Sequence, residues 1–136
     1  MPTIIATAEA VNNGELYATN VAANAHSFII DEPVDVGGKN VGPSPGDYLC
    51  AALASCKAIT LRMYANRKGW ELDEVKVKAR LVKGDSLPSG MNTFLCEVSL
   101  TGALDSEQQK RLLEISKACP VQRLLTKPSE VETILV

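Results

Sequence analysis

More than any other stretch, PGDYLCAALASCKAITLRMYANR, residues 45–67, limits the architectures open to this chain. Leu49, Leu53, Cys56, Thr60 and Met63 step by four, three, four and three, which puts them on one helical face. Lys68-Gly69 closes the pattern, with Gly supplying the left-handed position past a helix end. Ahead of it, Ser44-Pro45-Gly46-Asp47 has the form of a capping box with Pro in the first helical position. Ser44 caps the free N–H groups and Asp47 reaches back. The result is one long helix whose sides carry Ala51, Ala52, Ala54 and Ser55. Side chains that small let another backbone approach closely, within a core or at a subunit contact.

The segments around this helix alternate between strand and helix patterns. Ile4–Glu9, Glu15–Thr19 and His26–Asp31 read as short strands, with Asn12-Asn13-Gly14 as the turn between the first two. Val34 to Pro45 is a loop punctuated by Gly and Pro. Val75–Val82 and Phe94–Leu100 alternate apolar and polar residues as half-buried strands do, joined by the long link KGDSLPSGMN. Asp105-Ser106-Glu107 opens a second helix with the stripe Leu112, Ile115 and Cys119, and Pro120 stops it. Gln122–Thr126 gives one more helical turn and Val131–Val136 a last strand. Strands in blocks with helices between them predict an α+β fold, and the length predicts a single domain over residues 1–136.

Composition narrows the function classes. The net charge is −2, with the first 61 residues at −4 and the rest at +2, so no basic field exists to hold nucleic acid. No apolar run approaches the roughly 20 residues of a membrane span. The opening MPTIIATAEA has neither a basic start nor an apolar run of signal-peptide type, so no signal peptide is expected. Four cysteines without a secretory signal fit a reducing compartment, and a cytoplasmic location is expected. Their spacings of 6, 40 and 23 match no zinc pattern, and His26 is the only histidine. No metal or cofactor is expected. GGKNVGPSPGD lacks the spacing of a phosphate-binding loop.

The thiols divide by position. Cys50 points about 120° away from Cys56 around the helix, so the two cannot bridge, and Cys50 reads as filler. Cys56, among small residues, is either a compact core residue or a thiol at a close contact. Cys96 alternates with Phe94 and Val98 and is expected in the core. Cys119 stands directly before Pro120. If Pro120 begins a new turn, Cys119 occupies the cap, where free N–H groups and the positive helix end favour a thiolate. Arg123, four residues on, could lie near the same sulfur. A buried filler at a helix break is the other reading of Cys119. His26 is expected at a strand edge, and Lys76, Lys78 and Arg80 on a solvated strand face.

Taken in order, the DEP…GG loop (Asp31, Glu32, Pro33, Gly37, Gly38), the GPSP turn, ALASC ending at Cys56, MYANRKGW and CPV at Cys119 resemble the OsmC/Ohr family. These are the osmotically induced and organic hydroperoxide resistance proteins, and the likeness is to the OsmC-like branch. It implies antiparallel-rich sheets with two main helices in an intertwined homodimer. It also implies a thiol peroxidase without cofactor, acting on a small organic hydroperoxide. By position Cys56 would be the attacking thiol and Cys119 the resolving one, with Asp47 and Arg123 as candidate supporting residues. A dithiol reductant, in such proteins often a lipoyl group on a protein, would restore the thiols. Peroxidatic members keep an Arg in the N-terminal strands and a Glu ten residues before the reactive cysteine. Here no Arg precedes Arg62 and the Glu position is Gly46. A second expectation therefore stands beside the first: a non-peroxidatic member whose interfacial pocket binds a small apolar or electrophilic ligand. A third is a dimer with an assembly role alone.

Overall fold

The computed structural model describes residues 1–136, which form two compact units, Met1–Leu49 and Cys50–Val136, with the boundary inside a long helix. The first unit is an antiparallel sheet of β1 (Glu9–Val11), β2 (Thr19–Ala23) and β3 (His26–Ile30) in that order. The Asn-Asn-Gly signal does separate the first two strands, but as a loop over 12–18 rather than a tight hairpin. The Asn12 amide donates to Leu16 O (3.0 Å), Ala18 O (3.3 Å) and Thr19 Oγ1 (3.2 Å), which holds the loop. The second strand consequently starts where the sequence pattern ended it. The tight hairpin joins β2 to β3 instead, through Asn24 (φ 46°) and Ala25 (φ 63°), the paired left-handed conformation such turns require.

Asp31 organises the loop that follows β3. It is 1% exposed, and its carboxylate accepts from the N–H groups of Glu32 (2.7 Å), Lys39 (3.2 Å) and Val41 (3.2 Å). Burial raises its pKa, but those three donors and the charge of Lys39 lower it, and the net direction is down. Gly38 is required in this fold-back, because a Cβ there would sit 2.0 Å from Glu32 O. The DEP…GG pattern thus has a local structural reason.

The helix α1 runs over Pro45–Lys68. Its start is the expected box: Ser44 Oγ accepts from Asp47 N at 3.2 Å, and Asp47 Oδ2 accepts from Ser44 N at 3.0 Å. Gly69 ends it at φ 71°. Its phase differs from the sequence expectation. The buried side is Leu53, Lys57, Leu61, Tyr64 and Ala65. Leu49 and Met63 are 48% and 67% exposed and Cys56 is half-buried. Apolar residues ring the helix, so periodicity alone did not select the side that the core covers.

In the second unit, β4 (Glu71–Val82) pairs antiparallel with β5 (Thr93–Ala103), followed by α2 (Ser106–Ser116) and α3 (Pro120–Thr126). The fold is α+β, with the two main helices expected and the further helical turn near Gln122–Thr126 present as α3. Leu61, Tyr64, Ala65, Leu72 and Leu112 form the core, flanked by Trp70, Val98 and Ile115. Leu61 and Leu112 are fully buried, each contributing roughly 1.5–3 kcal/mol by removal from water. Lys76, Lys78 and Arg80 face solvent as expected, with Arg80 paired to Glu97 at 2.9 Å. The 83–92 link holds a short helical turn at Gly84–Ser86 and a bond from Gly84 N to Asn92 Oδ1 (2.8 Å). Two other expectations fail. Cys96 is exposed, because nothing in the unit covers its part of the strand face. Val131–Val136 forms no strand, having no pairing partner. No helix is long and apolar enough to cross a membrane.

Candidate functional site

Two helix ends and the middle of α1 converge in the second unit. The chain leaves α2 at Ser116, and α3 begins at Pro120, whose ring presets the first helical φ. Cys119 is therefore the N-cap, with extended backbone (φ −71°, ψ 142°), and its Sγ accepts from Gln122 N at 3.3 Å. It is fully buried. Its neighbour is Cys56 of α1, 63 positions earlier, whose side chain acts on the Cys119 thiol. All four cysteines are free thiols.

Lys57 follows Cys56 in sequence and is 4% exposed. Its Nζ donates to Ser116 O (2.7 Å) and to the side-chain Oε1 of Gln122. One lysine thus ties the end of α2 and the start of α3 to α1. Burial pushes the Cys119 thiol above its ordinary value, and the hydrogen bond and charge of Cys56 push the same way. The Gln122 N–H and the Lys57 charge pull it down, yet the net direction is up. The cap geometry anticipated at Cys119 is present, but desolvation outweighs the helix end.

The other residues singled out in the sequence lie as follows. Arg123 has an exposed side chain and meets Cys119 only through its backbone N, which donates to Cys119 O at 3.2 Å. The cation whose charge acts on Cys119 is Lys57. Asp47 is engaged in the cap of α1. Lys57, Ser116 and Gln122 were missed at the sequence level. One signal was available: Lys57 lies four residues from both Leu53 and Leu61, on the stripe that the core takes.

Beside this cluster lies a cavity of about 640 Å³, within the range of small-molecule sites. Leu53, Phe94, Val98 and Leu113 supply apolar wall, and Lys57 and Gln122 supply polar wall. Cys96 lines it, whereas Cys56 and Cys119 do not. No three His, Cys, Asp or Glu side chains gather as metal ligands.

An α+β chain with a thiol pair between its long helix and a short C-terminal helix matches one family model, OsmC-like protein, over residues 37–134. The chain belongs to that family. Its fold is shared by an osmotic stress induced and detoxification response protein from Psychrobacter arcticus, at 24% identity over 90% of this chain and 89% of that one, TM-score 0.70. An OsmC like protein from Mycoplasma pneumoniae is similar at 17% identity over 88% and 86%, TM-score 0.71. The organic hydroperoxide resistance protein OhrB of Bacillus subtilis is similar at 21% identity over 90% and 91%, TM-score 0.60. No curated protein matches the sequence.

Proposed function

We propose that this protein is a thiol peroxidase that reduces small organic hydroperoxides to alcohols. The observation that carries the reading is the pairing of Cys56 with Cys119 across 63 residues of chain, beside a buried lysine. In the first step the Cys56 thiolate attacks the terminal peroxide oxygen. The O–O bond breaks, Cys56 becomes a sulfenic acid, and the departing alkoxide takes a proton to leave as the alcohol. In the second, Cys119 sulfur attacks the Cys56 sulfur, and the S–O bond breaks. Hydroxide combines with the Cys119 proton to give water. An external dithiol, such as a lipoyl group, then reduces the disulfide and is itself oxidised to its disulfide. The presence of a hydroperoxide resistance protein among the structural neighbours supports the substrate class.

The working unit in this reading is a homodimer in the reducing cytoplasm. The side of α1 turned away from the core carries Leu49, Ile59 and Met63, which are 48%, 58% and 67% exposed. A second copy of the chain would cover them. Sedimentation at micromolar concentration should give twice the monomer mass, and a monomer would exclude the dimer.

The test of the peroxidase reading is stopped-flow consumption of cumene hydroperoxide and of hydrogen peroxide, with a dithiol present. Wild type should turn over the alkyl peroxide preferentially and Cys56→Ser should not react. Consumption of either peroxide no faster than by a free thiol would remove the reading.

One observation favours a second reading: the cavity wall contains neither Cys56 nor Cys119. In that case the protein binds a small apolar or electrophilic ligand and the thiols serve packing. An apolar fluorescent probe bound equally well by wild type and a Cys56→Ser/Cys119→Ser variant, in a protein inert to peroxide, would select it.

A further inference from the structure

Lys57 stands where the packing of α1 calls for an apolar side chain, between Leu53 and Leu61 on the buried stripe. A buried ammonium is costly unless it is hydrogen-bonded and paired with an anion. Here its acceptors are two neutral oxygens, the Ser116 carbonyl and the Gln122 amide. The ion pairs of the chain are Arg80–Glu97 and Arg111–Glu114, so no carboxylate neutralises it. The titratable group its charge reaches is Cys119, the cap of α3, and Cys56 precedes it on α1. Lys117 in the connecting link and Arg123 on α3 are exposed. Gln122 joins the two halves of the arrangement: its backbone N–H donates to Cys119 Sγ while its side chain accepts from Lys57.

We propose that Lys57 is the positioning residue of the thiol pair: it fastens the ends of α2 and α3 around Cys119 and supplies the positive charge beside which the Cys119 thiolate forms. An ammonium has three donors, of which two are engaged on Ser116 and Gln122, and the anion it lacks is the one that the second step of the peroxidase reaction creates. The use of Lys57 in turnover rests on that reaction, but its action on the thiols does not. Ionised Cys119 attacks the Cys56 sulfenic acid, the sulfur–sulfur bond forms, and hydroxide departs and is protonated to water. Lys57 offsets the thiolate charge before attack and is unchanged afterwards.

The test needs no peroxide. In a Cys50→Ser/Cys96→Ser background, the two remaining thiols are titrated from neutral to alkaline pH by ultraviolet thiolate absorbance and by alkylation rate, with peptide mass spectrometry resolving Cys56 from Cys119. Lys57→Met should move the Cys119 titration to higher pH, slowing its alkylation at fixed pH by about 10-fold, one pKa unit's worth. Gln122→Glu keeps the clamp but pairs the ammonium with a carboxylate, and should move Cys119 in the same direction with the fold intact by circular dichroism. A folded Lys57→Met whose Cys119 titrates as in wild type overturns the proposal. If Lys57→Met does not fold, an unshifted Gln122→Glu overturns it. A wild type inert to peroxide with the predicted shifts would sink the peroxidase reading and leave Lys57's role standing.

Discussion

Only three residues separate the end of α2 from the start of α3, yet the two helices begin on different capping chemistry. At α2, Asp105 Oδ1 accepts from Gln108 N at 2.8 Å and Gln108 Oε1 accepts from Asp105 N at 2.9 Å, a complete reciprocal box. At α3 the acceptor is the Cys119 sulfur, a weak one, and no side chain reaches back. Asp105 is exposed, whereas Cys119 is sealed from solvent beside Cys56 and Lys57. The first start is built to hold a helix. The second gives up the better oxygen cap to place a thiol, and local rules are commonly broken where function requires it.

The sharpest way to break this contrast is through turnover. Cys119→Ser retains a capping side chain, so the fold should persist while dithiol-driven peroxide turnover falls well below wild type and Cys56 is left as a sulfenic acid. Asp105→Ala should keep full turnover. Equal activities in the two variants, read in a coupled peroxide assay, would erase the distinction. Stability should show the reverse order. Asp105→Ala should cost about 1 kcal/mol in urea unfolding, as removal of a carboxylate cap does. Cys119→Ser should cost less, because serine is a favoured cap and the change in volume is small.

A smaller effect is expected from pH. The Cys119 pKa is raised in the folded state, so the unfolded thiol ionises first as the solution becomes alkaline. The stability this shift contributes is complete below the ordinary thiol value near 9.0 and is lost as pH rises through the folded value. Chemical denaturation above that pH should therefore weaken wild type more steeply than Cys119→Ser. At the acid end the sign reverses for Asp31, whose lowered pKa stabilises the fold above 3.8 and stops doing so as pH falls through its folded value. Smallest of all should be Glu114→Gln, which removes the exposed Arg111–Glu114 pair of α2 (3.0 Å). Exposed pairs of this kind contribute little, and the melting temperature should stay within measurement scatter.

The cap comparison also separates what was legible in the sequence from what was not. Both oxygen-capped starts were visible, Ser44 with Asp47 and the Asp105 opening, because a cap is a local signal within four residues. Cys119 as a cap was one of two readings left open, and Pro120 carried it for the same reason. The alternation of Val75–Val82 and Phe94–Leu100 identified the strands β4 and β5, though not their pairing. The direction of the Cys119 shift was hidden, since it depends on burial by residues distant in the chain. Lys57 was hidden too: its acceptors, Ser116 and Gln122, lie 59 and 65 positions away. The phase of α1 was misread because apolar residues occur on every side. Cys96 was expected inside because alternation reveals which residues share a face, and not whether anything covers it.

One measurement addresses the thiol pair directly. Reduced protein is given one equivalent of an alkyl hydroperoxide, remaining thiols are alkylated, and the digest is examined by mass spectrometry without reduction. A peptide pair linked through Cys56 and Cys119 is expected, with Cys50 and Cys96 recovered alkylated. Recovery of Cys56 and Cys119 as alkylated thiols, or a disulfide that joins either of them to Cys50 or Cys96 instead, would contradict it.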